Sequence, residues 1–532
     1  MIADVPRLGA GVPLIARRAE LHTLTQAWRS ARSGRPSVVL VSGDAGVGKS
    51  RLLAELSTLV TDDAGIVLTG RCLDTTDAAL PYLPFAEIVG EVADRDPAVI
   101  DAHPALSRML PGRGERDGHP ADERDLGRLQ LFDAVHAALS RFSAEHPVVI
   151  AIEDLHWADR SSRDLLAFLA SRLSGQRLLV VGTYRADDLH RRHPLRPLLA
   201  ELVRLPVTER LHLDPFSTSD ARDFVRALAD EDLSEDTIAR IAERCEGNAF
   251  VAEELVSASG DDAVPRELAE VLLARAERLS PNAQQAVRLA SVIGKSFGHD
   301  RISGASSLSA AELDDALREA VQHNILVMDA SDDYAFRHAL LREAVYTDLL
   351  PGERSRLHHD IAAALARTDG CVAAELAHHA MASHDSPGAL AASVRAAKEA
   401  DEVSAPAETL SHVERALQLW HSVNDPEHLA GTDELELTVW AAAAAAASGE
   451  PDRAIAHSRS AIRMIDSHGD TRRAVEVRRA YARYLLTLEN TEQRAYDTAL
   501  EAWELVAEAE PSTEKAWVQA ILARAATAAG KR

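Results

Sequence analysis

Eight consecutive residues near the start of the chain have the types and spacing of a phosphate-binding loop. They fit the pattern G-x-x-x-x-G-K-[ST] at every fixed position and read Gly43-Asp44-Ala45-Gly46-Val47-Gly48-Lys49-Ser50. The three glycines let the backbone curl so that successive N–H groups point at one anion. Lys49 is expected to reach the β- and γ-phosphates of a nucleotide, and the Ser50 hydroxyl to hold Mg²⁺. We therefore predict that residues 43–51, including Arg51 and with Lys49 also serving catalysis, bind ATP or ADP with Mg²⁺.

The loop lies between a strand-like and a helix-like segment. Residues 37–41 form an apolar run that predicts a buried strand, and residues 51–56 predict a helix, whose N-terminus adds a partial positive charge. This context disfavours the alternative, a glycine-rich turn that binds nothing. Residues 294–296 also read Gly-Lys-Ser, but Leu289 stands where the first glycine should be, so we interpret that copy as a coincidence.

Two adjacent carboxylates follow a later strand-like segment, residues 147–152. Glu153 and Asp154 end this segment, at the side of an α/β sheet where ligands bind. Glu153 is expected to organise Mg²⁺ through water, and Asp154 to orient or activate the attacking water as a catalytic residue. The alternative is an ordinary helix start that Asp154 or Asp159 caps.

Arg185 ends the next strand-like segment and is the third candidate catalytic residue. An arginine at this position can sense the γ-phosphate of ATP. A surface arginine paired with Asp187 or Asp188 is an equally open alternative.

A sheet is needed to bring these residues together. Strand-like and helix-like segments alternate from residue 14 to about residue 258, which indicates a parallel sheet covered by helices. Residues 104–125 predict an exposed loop, and residues 257–262 a linker. Residues 265–345 are expected to be mostly helical with a strand-like pair near 325–336, and the chain after about residue 355 to be helical. The candidate strands are 37–42, 66–70, 147–152, 178–183 and 210–214.

Charge and composition exclude several classes of protein. The 532 residues carry a formal net charge of −25, which argues against a broad nucleic-acid footprint. Three widely spaced cysteines indicate a reducing compartment without a disulfide framework. No uninterrupted apolar run spans a membrane and the start lacks a signal-peptide pattern, so we expect a cytoplasmic protein.

The motifs occur in an order that resembles the signal-transduction ATPases with numerous domains, the STAND class. Within that class the chain is most similar to the large ATP-binding regulators of the LuxR family, the group of the maltose activator of enteric bacteria. Residues 336–346 resemble the winged-helix part of that family, and the resemblance covers about residues 12 to 420. The other stretches that carry it are 14–21, 43–50, 70–72, 80–85, 153–159, 182–185, 246–250 and 253–255.

The resemblance implies a nucleotide switch that hydrolyses ATP slowly, rather than a metabolic enzyme. ADP would hold the sensor, ATPase and winged-helix domains closed, whereas inducer with ATP would open them and drive the self-association that controls transcription. Arg17 and His338 would then join the nucleotide-binding residues, with His338 reaching the ADP β-phosphate. The alternative for His338 is a satisfied core histidine.

Two residues depart from the family pattern. Ala16 stands where glycine is usual near the adenine, and Ala249 replaces the proline of a Gly-Asn-Pro motif, which weakens the expected lid contact. The histidine pairs 358–359 and 378–379 have no cysteine or carboxylate cluster at ligand spacing, so solvated helix faces are expected there.

We therefore predict a multidomain chain. An α/β P-loop NTPase core with a parallel sheet and a helical lid covers residues 1–258, a winged-helix-like domain covers 259–355, and an α-helical TPR-like array covers 356–532. Small residues recur in the array at matching offsets, which is typical of paired helices, although a plain alanine-rich bundle is the alternative. The matching residues are Gly449, Ala454 and Ala461, then Asn490, Ala495 and Ala502.

No helix-turn-helix of a promoter-binding type is visible. The chain is therefore expected to be the sensor and ATPase part of a regulator, with an ATP-dependent oligomer, an unknown inducer at the helical repeats, and no direct DNA or membrane contact. The alternatives are a stand-alone scaffolding ATPase and an ATPase module linked to an adenylyl cyclase or a Ser/Thr kinase.

Overall fold

Five parallel strands form one sheet in the N-terminal half of the chain, in the order β2-β3-β4-β1-β5. In the register of the sheet Gly43 lies beside Arg185, and Ile152 lies beside Gly182. The carboxyl ends of β1, β3 and β4 therefore meet at one edge. The strands are β1 (Ser37–Gly43), β2 (Ile66–Arg71), β3 (Val148–Glu153), β4 (Leu178–Arg185) and β5 (Thr208–His212).

The computed structural model describes residues 13–72, 80–110, 124–229, 233–258, 273, 275–328, 333–368, 370–466 and 470–531. The chain divides into two compact units. The first unit comprises Met1–Asp77, Tyr82–Gly114 and Phe132–Cys371, and the second comprises Ala78–Pro81, Glu115–Leu131 and Val372–Arg532.

The predicted parallel sheet is confirmed, and four of the five strands lie within a few residues of their predicted bounds. The fifth, β5, begins at Thr208 and ends at His212, two residues earlier than predicted at both ends. Among the described strands it lies at the edge of the sheet beside β1, and it is mostly exposed, whereas the buried Leu213 beyond it belongs to the core. The apolar pattern therefore placed the strand too late.

Helices cover the sheet, and three more form a small lid. The lid helices share their own core of Val225, Ile238 and Ala252. The covering helices are α1 (Arg18–Arg32), α2 (Lys49–Asp62), α3 (Leu83–Arg95), α4 (Ala98–Ala102), α5 (Arg124–Glu145), α6 (Arg160–Arg172) and α7 (Leu195–Leu202), and the lid helices are α8 (Thr218–Leu228), α9 (Glu235–Arg244) and α10 (Ala249–Ala258).

Two predicted connections differ from the structure. Residues 104–109 form a 3₁₀ helix instead of an exposed loop, because Leu106 and Met109 are buried against the core. Helix α5 already begins at Arg124, and residues 111–123 of this prediction lie outside the described residues. The predicted linker begins within the last turn of α10, and its residues 259–262 lie outside the described residues.

A small helix-and-sheet body follows the lid in the first unit. Its order of helix, strand, two helices and two strands, with an antiparallel sheet of order β6-β8-β7, is that of a winged helix. The strand pair predicted near 325–336 is confirmed, while β6 was missed because it is only two residues long. The elements are α11 (Pro281–Ile293), β6 (Ser296–Phe297), α12 (His299–Ala305), α13 (Ala310–Gln322), β7 (Leu326–Met328), β8 (Tyr334–Phe336), α14 (Ala339–Asp348) and α15 (Pro351–Ala366).

From Ala373 on, the second unit is an array of TPR-like helical repeats. Gly449 and Asn490, at matching places in the predicted repeat, both have positive φ, at 76° and 61°. The alanines that follow each at matching offsets are fully buried, which lets neighbouring helices approach closely. The helices are α16 (Ala373–Ala382), α17 (Ser386–Glu402), α18 (Pro406–Leu419), α19 (Pro426–Ala430), α20 (Glu434–Ala447), α21 (Pro451–Ile465), α22 (Thr471–Leu485), α23 (Glu492–Val506) and α24 (Thr513–Ala528).

Two other expectations can be compared with this fold. His358 and His379 are buried, so the expectation that both histidine pairs lie on solvated helix faces is wrong for these two residues. Within the described ranges, none of the helices has the length and apolarity needed to cross a bilayer.

Candidate nucleotide-binding site

The predicted phosphate-binding loop connects β1 to α2. Gly46 and Gly48 have φ values of 78° and 108°, in the left-handed region that favours glycine. Lys49 begins α2, and its Nζ donates to the carbonyls of Gly43 at 2.7 Å and Asp44 at 2.8 Å. Burial lowers the pKa of Lys49 to about 8. The lysine thus remains mostly cationic at neutral pH and lies against the loop where a phosphate would bind.

Arg17 braces this loop from the segment before α1. Its guanidinium donates to the carbonyls of Val47 at 3.3 Å and Asp214 at 2.7 Å. It also lies 4.7 Å from the centroid of the Phe216 ring. Ala16 has a φ of 55°, a conformation that glycine adopts more easily, so the residue that departs from the family pattern occupies a glycine-like backbone.

Ser50 and Glu153 lie in contact, because β3 ends beside the start of α2. The Ser50 hydroxyl donates to Glu153 Oε2 at 3.4 Å. A hydroxyl and a carboxylate are oxygen ligands of the kind that Mg²⁺ takes, either directly or through water. The donor set therefore fits a Mg²⁺ ion between these two side chains and a nucleotide.

Asp154 follows β3 in a left-handed conformation with a φ of 61°. Its backbone N–H donates to Thr183 Oγ1 at 3.1 Å, and its carboxylate lies 3.3 Å from Lys295 Nζ. The helix cap is instead Asp159, whose carboxylate accepts from the backbone N–H of Ser162 at 2.8 Å. Asp154 is therefore not the cap of α6, and its carboxylate lies at the site in contact with Lys295.

Arg185 lies between the loop and the acidic pair because β4 lies between β1 and β3. Its side chain is only 9% exposed, so it is not a surface arginine. It contacts Glu343 at 3.0 Å, Asp188 at 3.7 Å, and the face of Trp157 at 4.9 Å. Asp188 is one of the two partners considered above, and the role of Arg185 at a γ-phosphate stays a prediction.

His156 contacts the backbone of Arg185. Its Nδ1 accepts from the backbone N–H of Arg185 at 3.4 Å, and its Nε2 lies 3.4 Å from an Asp188 oxygen. Burial lowers the pKa of His156 to about 4, so the ring is neutral at pH 7 and can accept this bond. His156 thus holds the backbone of Arg185, while Trp157 lies against its guanidinium.

The lid touches the loop directly, although Ala249 replaces the usual proline. Asn248 Nδ2 donates to the carbonyl of Ala45 at 2.8 Å, and the Phe250 N–H donates to the carbonyl of Gly46 at 3.2 Å. A Cβ at residue 46 would lie 2.7 Å from Asn248 Oδ1, so this close approach requires glycine. The lid contact that Ala249 was expected to weaken is present.

His338 lies behind the lid at the start of α14. Its ring centroid is 4.1 Å from that of Phe250, and its Nε2 lies 3.8 Å from Glu254. Among the described residues that Nε2 has no hydrogen-bond partner. Burial lowers the pKa of His338 to about 3, so the imidazole is neutral. Both expectations for His338, a phosphate contact and a core histidine, remain open.

Lys295 is the residue that sequence reasoning missed. The second Gly-Lys-Ser forms no loop of its own, because Gly294 ends α11 and Ser296 begins β6. Its lysine nevertheless reaches the site and contacts Asp154. No local pattern marks this role, since it depends on how residues 281–366 pack on the sheet. Asn248 and Glu343 lay within recognised motifs but had no assigned role.

Most of the predicted site residues line one cavity of about 400 Å³. The walls come from the sheet edge, the lid, and the segment from Lys295 to Leu340. Every predicted site residue from Ala45 to Arg51 lines it, and so do Arg17, Glu153, Asp154, Arg185, Glu253, Lys295 and His338.

A parallel sheet with a glycine-rich phosphate loop after β1, and carboxylates after β3, defines a P-loop NTPase core. Residues 13–181 match the family of the AAA ATPase domain. This match extends from the segment before α1 into β4 and implies nucleotide binding at the loop.

Similarity to whole proteins is more distant. An uncharacterized protein of Rhizobium meliloti (strain 1021) is 29% identical over 476 residues, which are 80% of this chain. The aligned region is 45% of that relative, so the chain spans less than half of its length.

Solved structures resemble the chain at low sequence identity. The STAND protein with a tetratricopeptide repeat sensor from Pyrococcus horikoshii is 14% identical, with a TM-score of 0.48, over 99% of this chain and 75% of that one. A Walker-type ATPase of Pyrococcus abyssi is 16% identical, with a TM-score of 0.34, over 65% of this chain and 99% of that one.

Proposed function

We propose that this protein is a nucleotide-operated signalling ATPase of the STAND class, related to the LuxR-type regulators. It would bind ATP or ADP with Mg²⁺, hydrolyse ATP slowly, and use the bound nucleotide to control self-association and transcription. The observation that carries the proposal is the shared cavity, whose walls come both from the P-loop core with its lid and from residues 295–340. A nucleotide there would contact all of these parts at once.

The side chains divide the work of binding and hydrolysis. Loop N–H groups and Lys49 would bind the phosphates, while Ser50 and Glu153 would hold Mg²⁺. Bound Mg²⁺ would neutralise phosphate charge. Asp154 would orient the attacking water, and Arg185, supported by His156 and Trp157, would stabilise charge on the γ-phosphate.

A switch also requires that ATP and ADP favour different arrangements. A ligand shifts a conformational equilibrium only by its differential affinity for the two states. The third phosphate would lie nearest the sheet edge, where Asp154 and Arg185 contact residues of the body that follows the lid. We infer that this edge is where ATP and ADP act differently.

The TPR-like array of the second unit is the proposed sensor for an inducer. Stacked helices offer broad surfaces for recognition, but their chemistry does not reveal the inducer. The chain spans 45% of the length of its curated relative. Control of transcription is therefore proposed for the whole protein.

Hydrogen exchange with no nucleotide, with ADP, and with a non-hydrolysable ATP analogue would test the switch. We expect both nucleotides to protect residues 43–51, and protection of residues 295–340 to differ between them. Light scattering of the same samples would report self-association. Lys49→Ala should abolish these differences, and Lys398→Ala, at an exposed lysine of the second unit, should retain them. Equal protection and equal size with both bound nucleotides would contradict the switch.

A further inference from the structure

Two candidate catalytic residues each contact an opposite charge from the body that follows the lid. Lys295 Nζ lies 3.3 Å from Asp154 Oδ2, and Glu343 Oε1 lies 3.0 Å from a terminal nitrogen of Arg185. Lys295 lies between α11 and β6, whereas Glu343 lies on α14. Two separate segments of one body thus reach two neighbouring strand ends of the sheet.

These contacts occupy the groups that hydrolysis would need. A carboxylate that orients water must offer a lone pair to it. The ammonium group of Lys295, 3.3 Å away, competes with water for the Asp154 carboxylate. An arginine stabilises a phosphoryl transition state through its positive charge, which a nearby carboxylate offsets. The Asp154 and Arg185 side chains are only 18% and 9% exposed, so water screens these pairs less than pairs on an open surface.

We propose that Lys295 and Glu343 form a two-point electrostatic brake that holds Asp154 and Arg185 away from bound ATP. The brake rests on the proposed ATPase function and adds two residues that control its chemical step. Release would require the body that carries both residues to move from the sheet edge. Slow hydrolysis would then be a property of this arrangement and not of a defective catalytic set.

The contact between Lys295 and Asp154 also allows an alternative role for Lys295, with the opposite effect on the rate of hydrolysis. Lys295 could itself contact the γ-phosphate and assist the reaction, as a cationic residue supplied by another part of the chain does in other phosphoryl transfers. This alternative predicts that removing Lys295 slows hydrolysis, whereas the brake predicts that it accelerates hydrolysis.

Single-turnover hydrolysis of ATP, with protein in excess and Mg²⁺ present, separates these outcomes. We expect Lys295→Gln and Glu343→Gln each to raise the rate roughly fivefold or more, the lower end of usual coupling effects, and the double variant to be faster still. Lys295→Arg keeps the charge and should stay slow. Asp154→Asn should abolish the gain in every background.

The ion pair between Arg288 and Glu353 provides a matched control. It joins α11 to α15 within the same body at 3.5 Å, and neither residue lines the cavity. Glu353→Gln should therefore leave the rate unchanged if acceleration reflects release of the catalytic residues and not general loosening.

The hydrolysis rates of these variants distinguish failure of the brake from failure of the ATPase proposal. Slower or unchanged hydrolysis in both Lys295→Gln and Glu343→Gln, with wild type faster than Asp154→Asn, would overturn the brake alone. Equal acceleration by Glu353→Gln would also overturn it. No hydrolysis above Asp154→Asn in any variant would overturn the ATPase proposal and the brake with it.

Discussion

The side-chain amide of Asn248 donates to the carbonyl of Ala45 at 2.8 Å, so the lid is hydrogen-bonded to the phosphate loop. The Asn248 Oδ1 atom also accepts from the N–H of Phe250 at 3.1 Å, near the start of α10. One side chain therefore fixes the first turn of the lid helix and the loop that it covers.

Asn248→Asp should separate these two roles. Aspartate keeps an oxygen that can accept from Phe250 but loses the amide donor to Ala45. We expect weaker nucleotide binding, by about 0.5–1.5 kcal/mol for one lost hydrogen bond, with little change in lid stability. Asn248→Ala should lose both. Nucleotide titration and thermal unfolding of both variants provide the check, and wild-type affinity in Asn248→Asp would show that the loop contact is dispensable.

Glu253 should make the stability of the protein depend on pH. Burial raises its pKa to about 7, with Arg337, Glu254 and Arg51 as the charged groups around it. Between about pH 4.5 and pH 7 the native state holds a proton that the unfolded state has released, so stability falls as pH rises through this window. Glu253→Gln should therefore stabilise the protein by about 1–2 kcal/mol at about pH 8 and have little effect at about pH 5.

Urea unfolding at both pH values measures this effect. Glu201→Gln, at an exposed glutamate of α7, serves as the control and should change stability equally little at both. A Glu253→Gln variant that is no more stable than wild type at the higher pH would argue against a buried, partly protonated carboxyl group.

His338→Ala distinguishes the two expectations for this residue. If its neutral ring donates to the ADP β-phosphate, loss of a hydrogen bond to a charged group costs about 1.5–3 kcal/mol, roughly a 10- to 150-fold change. ADP should then dissociate faster, and ATP should drive self-association more readily. Stopped-flow ADP release and light scattering report the two effects.

His358→Ala is the matched control for His338. His358 is also buried, accepts or donates to the Tyr346 hydroxyl at 3.1 Å, and is not part of the cavity wall. It should lower the melting temperature without changing ADP release. A His338 variant that behaves in the same way would identify a core histidine.

The strand–loop–helix around Lys49 and the acidic pair after β3 could be predicted because their chemistry is encoded in adjacent residues. The sheet brings Ser50 to Glu153 and places Arg185 at the same edge, because parallel strands align their carboxyl ends. The two-residue β6 was too short to leave a pattern. The second Gly-Lys-Ser was interpreted as a coincidence because Leu289 breaks the loop pattern. The contact of Lys295 with Asp154 joins residues 141 positions apart, through packing that no local spacing encodes.

Binding of nucleotide to wild type and Lys49→Ala tests the central claim most directly. Lys49 is the cation against the loop, and losing its bonds to the charged phosphates should weaken binding roughly 10- to 150-fold, the equivalent of one charged hydrogen bond. The measurement is titration of a fluorescent ATP analogue with Mg²⁺, with Lys398→Ala as the control and melting curves without nucleotide to establish folding. Wild type and Lys398→Ala should show saturable binding, and folded Lys49→Ala should bind roughly tenfold or more weakly. Equal affinity in wild type and folded Lys49→Ala would contradict the central claim.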